Sequence, residues 1–213
     1  MFIEMIDLLR CINDHQDSWL VASFRTITNR FVIDGTLGCP ICSAEYEISD
    51  GVADFGNGNS ETSGAGSELS PREREELATR AGAFLNAVEP GAPVILGGSW
   101  ADAAHELSVM TDSRVLALNP SKRVEDSERV GLLRVGSTMP LAQGAALGAA
   151  LDASFSADAV ASAVRAVRPG GRIVGPVAVT PPGDIAVLAR DESYWVAEKP
   201  VETISLRRAK ITK

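Results

Sequence analysis

Pro93-Val-Ile-Leu-Gly-Gly-Ser-Trp100, Ala101-Asp-Ala-Ala-His-Glu-Leu-Ser-Val-Met110 and Thr111-Asp-Ser-Arg-Val-Leu-Ala-Leu-Asn-Pro-Ser121 run on without a break, and how they read decides the fold. An apolar run stops at a glycine pair, an alanine-rich segment with helical spacing follows, and a second apolar run ends at Asn119-Pro120. Strand, glycine turn, helix and strand make a βαβ unit. In doubly wound sheets the first such turn is where a nucleotide-like cofactor sits. The function of the chain therefore hinges on whether this turn still takes one.

Downstream, the pattern continues as α/β. Gly131-Leu-Leu-Arg-Val-Gly136 reads as a third strand, and Gly144–Ser154 suits a fourth strand or, by its alanines, a helix. Phe155–Val167 reads as a helix, Arg168-Pro-Gly-Gly171 as a turn into the strand Arg172–Val179, and Asp184–Arg190 with Ser193–Glu198 as a closing hairpin. Upstream, Ser70-Pro-Arg-Glu73 opens a helix with a serine cap, proline at the first position and glutamate three residues on. Its apolar face is Leu77, Ala81, Phe84, Leu85 and Val88, and Glu89-Pro90-Gly91 ends it. Residues 56–70 have the composition of a flexible linker, and 206–213 form a basic tail. That tail suits a solvated end, with a nucleic-acid contact as the minority reading.

The N-terminal 55 residues differ in character. All three cysteines fall there, as Cys11 in a CxxxH with His15 and as the knuckle Cys39-Pro-Ile-Cys42. CxxC spacing lets two thiolates face one tetrahedral metal, and Cys11 and His15 complete a Cys₃His set of the kind that holds structural zinc. The same pair also suits a redox couple or two buried thiols. Between the two pairs, Ser18–Phe24 and Arg30–Gly35 read as strands, with a turn expected at Asp34-Gly35. A site closed by four protein ligands serves folding rather than catalysis, so chelation is expected to unfold this module and spare the larger domain.

The chain has 213 residues, 45% hydrophobic and 23% charged, enough for one α/β domain plus a small module. No apolar run approaches the ~20 residues of a membrane span, and the N-terminus lacks the basic flank of a signal peptide. The expected location is the cytoplasm. Residues 1–70 hold eleven acids against three bases, the whole of the chain's net −8. That module is unsuited to gripping a phosphate backbone by itself and better suited to a protein partner. Oligomeric state is not readable.

Two resemblances follow from these motifs. Gly35-Thr-Leu-Gly-Cys-Pro-Ile-Cys42 through Asp50-Gly-Val-Ala-Asp-Phe55, with Leu8-Leu-Arg-Cys11, resembles the zinc-ribbon family that includes the activator subunit of RNA and release-factor methyltransferases. His15 stands for its usual cysteine, and Glu47 and Ala53 stand for common prolines. Residues 71–205 resemble a class I S-adenosylmethionine-dependent methyltransferase, most specifically in Ala163-Val-Arg-Ala-Val-Arg-Pro-Gly-Gly-Arg-Ile-Val174, and also in Ser137-Thr-Met-Pro-Leu141 and the closing hairpin. The resemblance implies a Rossmann-like sheet, mostly parallel with a C-terminal antiparallel hairpin, plus the small β ribbon.

It also implies where cofactor would sit, and there the residues depart. Gly97, Gly98, Ser99 and Asn119 are the candidate cofactor contacts. Ile95 stands for the loop acid, Ala101 for a glycine, Asn119 for the ribose acid and Gly136 near the adenine acid, while Trp100 can fill the loop itself. Each lost charge-assisted bond forfeits roughly 1.5–3 kcal/mol, so three weaken binding by several powers of ten unless compensated. No catalytic residue stands out, and His105 reads as structural or surface. The leading expectation is a non-catalytic methyltransferase-like protein with a binding or scaffolding role, structural zinc and no S-adenosylmethionine. The alternatives are a divergent methyltransferase acting on RNA or protein, and a small-ligand or redox-switch protein using the cysteines.

Overall fold

A computed structural model describes residues 1–56, 69–120, 124–183 and 185–201. The expected linker, apart from its ends, and the tail 206–213 lie outside the described residues. The opening stretch folds as its pattern requires. Strand β5 (Pro93–Gly97) leads into a 3₁₀ turn (Gly98–Ala103) and helix α3 (Ala104–Thr111), then β6 (Arg114–Leu118). Both strands are buried nearly end to end, as parallel strands covered on two faces must be. Helix α2 (Pro71–Leu85) has the full capping box at Ser70 and Glu73 and ends at Asn86 in the left-handed region.

Further strands are β7 (Val130–Val135), β8 (Ala146–Ala150), β9 (Val167–Pro176), β10 (Ala186–Arg190) and β11 (Tyr194–Glu198), with helix α4 (Ala157–Ala166) between β8 and β9. The alanine-rich segment is thus a strand. It lies between β5 and β9, where small side chains let Leu85 of α2 pack within contact distance of Gly148. The Pro-Gly-Gly segment, expected as a turn, is the irregular start of β9.

The ribbon adds helix α1 (Ile3–Ile6) and strands β1 (Val21–Thr28), β2 (Phe31–Gly38), β3 (Glu45–Ser49) and β4 (Val52–Phe55). Its hairpin turn is Asn29-Arg30, both with positive φ, not Asp34-Gly35. Asparagine tolerates the left-handed conformation of a two-residue hairpin turn. Gly35 instead lies inside β2, where a Cβ would come within 2.7 Å of the Ser23 carbonyl oxygen. Asp50-Gly51, again with two positive φ values, makes the turn from β3 to β4.

All eleven strands form one sheet, ordered β1-β2-β3-β4-β7-β6-β5-β8-β9-β11-β10. From β7 to β9 the pairing is parallel, and the order reverses between β5 and β8; β11 and β10 close the far edge antiparallel. This is a doubly wound sheet with a C-terminal hairpin. The ribbon joins it through β4, parallel to β7 with Val52–Phe55 against Leu132–Val135.

Helices α2 and α3 cover one face, where Trp100 is buried between Phe84 and Tyr194. Trp100 therefore points into the core and does not fill the turn, contrary to the sequence expectation. Helix α4 covers part of the other face. The connection from β7 to β8 carries no helix, and the layer there is completed by Met1, Met5, Ile6 and Leu9. Met5 rests on Gly131 of β7. Residues 1–55 and the remainder thus share one sheet and one core. Among the described residues no helix is long and apolar enough to cross a membrane.

Met5 is fully buried at this junction. Met5→Ala is expected to cost about 2–5 kcal/mol, as large-to-small core changes do, and to leave a single unfolding transition. Chemical denaturation followed by far-ultraviolet circular dichroism and by tryptophan fluorescence checks this. Two separated transitions would contradict the shared core.

Candidate metal centre and glycine turn

The N-terminal segment climbs one face of the sheet. Phe2 bridges to Phe31 at the start of β2, the Met1 amine bonds the Val32 carbonyl oxygen (2.9 Å) and Asp126 (2.7 Å), and Leu9 bridges to Leu141. The Arg10 N–H then donates to the Pro140 carbonyl oxygen at 2.9 Å. This delivers Cys11 to the end of the sheet toward which the parallel strands run. Because β2 is parallel to β4 and ends at Gly38, Cys39-Pro-Ile-Cys42 lies at the same end.

The ligand atoms of Cys11, His15, Cys39 and Cys42 all lie within 4.8 Å of one another. Cys11 Sγ is 3.6 Å from Cys42 Sγ, and His15 Nε2 is 3.2 Å from Cys11 Sγ and 3.4 Å from Cys39 Sγ. Tetrahedral zinc, with bonds of about 2.3 Å to sulfur and 2.0–2.1 Å to nitrogen, has S–S edges of roughly 3.8 Å and N–S edges of roughly 3.5 Å. These three edges are slightly shorter than those of that tetrahedron, and with all four ligand atoms within 4.8 Å of one another these residues can hold zinc. His15 Nδ1 lies 2.7 Å from the Gln16 carbonyl oxygen. Holding the proton on Nδ1 leaves Nε2 with a lone pair for metal, the usual support of a histidine ligand.

The surroundings tune the thiols. A backbone hydrogen bond from Ala44, then Asn13, holds Cys42 down at about 6. Burial raises Cys39, but backbone hydrogen bonds from Cys42 and Ile41 outweigh it and leave the thiol below its ordinary value. Cys11 goes the other way: burial pushes it up, more than its 3.1 Å bond with the Tyr46 hydroxyl draws it down. Burial, then the bond to Cys11, raises Tyr46. The Gln16 carbonyl raises His15. Cys42 is thus poised as a thiolate near neutrality, and Cys39 is shifted in the same direction. All four positions of a tetrahedron are taken by protein, which suits a metal that holds structure.

The glycine turn lies elsewhere on the same edge. Five strand steps separate β2 from β5, which at about 4.8 Å each is roughly 24 Å. A metal held by the cysteines is too far away to act there. At the turn, Gly98 has φ +64 and a Cβ would overlap the Asp152 carboxylate. Ser99 donates its backbone N–H to Asp152 Oδ2 at 2.7 Å, while the Ser154 N–H donates to Oδ1 at 3.0 Å and the Ser154 hydroxyl lies 2.5 Å from it. Burial pushes the Asp152 carboxyl up, and these hydrogen bonds overcome it to hold the group below the ordinary range. A Cβ on Gly97 would come within 2.6–2.7 Å of Leu151 and Phe155. The segment after β8 therefore covers the turn with its own side chains.

Asn119, at the end of β6 with φ 44, is also engaged. Its amide donates to the Val135 carbonyl oxygen at 2.8 Å and accepts from the Val135 N–H at 2.9 Å. It pins β6 to β7. Gly136 faces open space, and His105 is an exposed residue of α3. Gly97, Gly98 and Ser99 are adjacent at the turn, while Asn119 is directed to the neighbouring strand. Asp152 escaped the sequence reading because its partner, Ser99, is 53 residues away. The one available signal was an acid two residues after a buried strand.

No protein-family model and no curated protein matches the sequence. Solved structures to which the chain is similar include the MycE methyltransferase of the mycinamycin pathway, at 13% identity over 60% of this chain and 48% of that one, with a TM-score of 0.44. A S-adenosylmethionine-dependent methyltransferase of Geobacter sulfurreducens matches at 17% identity over 60% and 55%, with a TM-score of 0.38. Phosphoethanolamine N-methyltransferase 2 of Haemonchus contortus matches at 13% over 57% and 31%, with a TM-score of 0.41. The chain spans less than two thirds of each of these proteins. Its fold assignment rests on the strand order.

Metal analysis of protein purified without chelator is expected to give one zinc per chain. Because the ribbon shares its core with the larger sheet, chelation should lower the melting temperature of the whole chain, not of residues 1–55 alone as the sequence suggested. Thiol protonation competes with metal, so zinc affinity should be weaker at pH 5 than at pH 7, as Cys42 takes up its proton on falling through about 6. Metal-free protein, or an affinity unchanged between these pH values, would contradict the site.

Proposed function

We propose that this chain is a non-catalytic, methyltransferase-like protein whose glycine turn is occupied from within and whose Cys₃His cluster holds structural zinc. The observation that carries the reading is Asp152. Its carboxylate accepts the Ser99 N–H, a backbone donor of the kind that glycine turns offer to ligands. Leu151 and Phe155 sit over Gly97, and the Asn119 amide is spent on Val135. A cofactor entering here would have to displace a charged, hydrogen-bonded side chain and two apolar ones. It would find no acid at Ile95, Asn119 or Gly136 to repay the cost.

With the turn closed, the chain's role is binding. The acidic ribbon offers the surface for a protein partner, and its charge disfavours a nucleic acid backbone. Zinc supplies the ribbon's fold, with Cys11, His15, Cys39 and Cys42 as ligands.

Calorimetric titration of the zinc-loaded chain with S-adenosylmethionine tests this. No heat of binding is expected up to millimolar cofactor. Micromolar binding would overturn the reading in favour of a divergent methyltransferase acting on RNA or protein.

A further inference from the structure

The opposite end of the sheet, where β8 and β9 begin, carries a groove of about 730 Å³. That is within the usual range for small-molecule sites, roughly 300–1,000 Å³. Its walls are largely apolar: Val164 of α4, Pro169 at the start of β9, Ile185 before β10 and Pro200 after β11. Two cations, Arg165 and Lys199, share this lining, and among the described residues no carboxylate is part of it.

The cations in this region are not equivalent. Arg168 pairs with Glu89 at 2.5 Å and Arg172 with Glu198 at 3.4 Å. Lys199 Nζ donates to the carbonyl oxygens of Val164, Arg165 and Val167 at 2.9, 3.2 and 2.6 Å, closing the last turn of α4. Burial, then the neighbouring Arg165 charge, holds Lys199 below the usual lysine range. The Arg165 guanidinium, half-buried, has no hydrogen-bond or ion-pair partner among the described residues. A planar fork of donors beside a second cation and above apolar walls is complementary to a carboxylate on an aliphatic body.

We infer that this groove binds a small aliphatic carboxylate, with Arg165 gripping the carboxylate and Val164, Ile185 and Pro200 holding the chain. Charge also discriminates between occupants. The chain's own residues 202–213 contain Arg207, Arg208, Lys210 and Lys213 against the single acid Glu202. A basic segment is repelled by Arg165 and Lys199, whereas an anion is attracted. The inference is independent of the closed glycine turn, which lies at the other end of the strands.

Decanoate, below its micelle-forming concentration, is the probe, with decanol as the uncharged control and acetate as the control without a chain. Titrations of the zinc-loaded full chain are followed by calorimetry and by chemical shifts of the α4 amides. Decanoate is expected to bind saturably, and decanol and acetate at least about tenfold more weakly, the scale of a lost charged hydrogen bond. Arg165→Gln should lose about the same factor for decanoate and leave decanol unchanged. Val164→Asp should abolish decanoate binding. Circular dichroism melting of each variant confirms that it folds. No decanoate binding by the full chain, equal binding of decanol, or binding that appears only in a chain shortened to end at Val201 would each overturn the proposal. The last result would make the chain's own tail the occupant.

Discussion

Everything in this molecule hangs on four residues of backbone pairing. Val52–Phe55 lie parallel to Leu132–Val135, and that ladder turns a small ribbon and a doubly wound sheet into one eleven-stranded sheet. A strand edge left open would expose a row of backbone donors and acceptors. The pairing removes that edge from β7 and lets the N-terminal segment lie across the neighbouring face. Met1, Met5, Ile6 and Leu9 then fill the layer beside α4 that the helix-free connection from β7 to β8 leaves open. The same path carries Cys11 to the end of the sheet where Cys39 and Cys42 wait. Cysteine–histidine cluster, sheet edge and core are consequences of one arrangement.

That coupling separates two kinds of site on one edge. The cluster at the ribbon end gathers four candidate protein ligands, with Cys11 buried against Tyr46 and Cys42 exposed. The glycine turn at the point where the strand order reverses is closed by a carboxylate from its own chain. Sheets of this class bind ligands in the crevice at that reversal. Here the crevice is lined by Leu151, Asp152 and Phe155, and the backbone N–H of Ser99 is satisfied without a guest. The proposed loss of cofactor binding rests on these contacts.

The sequence carried the local features well. The βαβ unit from Pro93 to Ser121, the Ser70–Glu73 capping box and each of the Cys11/His15 and Cys39/Cys42 pairs depend on residues close in the chain. What it hid was non-local or depended on packing. Nothing in Val52–Phe55 names β7 as a partner, since a four-residue strand can pair with any open edge through its backbone. Asp34-Gly35 looked like a turn because that dipeptide favours one, yet Gly35 is needed for close approach to Ser23 and the turn falls at Asn29-Arg30. Trp100 looked like an obstruction in the cofactor loop, but the 3₁₀ turn rotates it into the core against Phe84 and Tyr194. The side chain that does meet the turn, Asp152, comes from beyond the end of another strand.

The central claim is that the Ser99 N–H already has its partner. The most direct test is to follow the backbone amide resonances of Gly97, Gly98 and Ser99 while S-adenosylhomocysteine is added to the zinc-loaded chain. These three signals are predicted to stay fixed up to millimolar ligand, with Ser99 protected from solvent exchange by Asp152. Saturable shifts at these positions would contradict the account and restore the turn as a cofactor site.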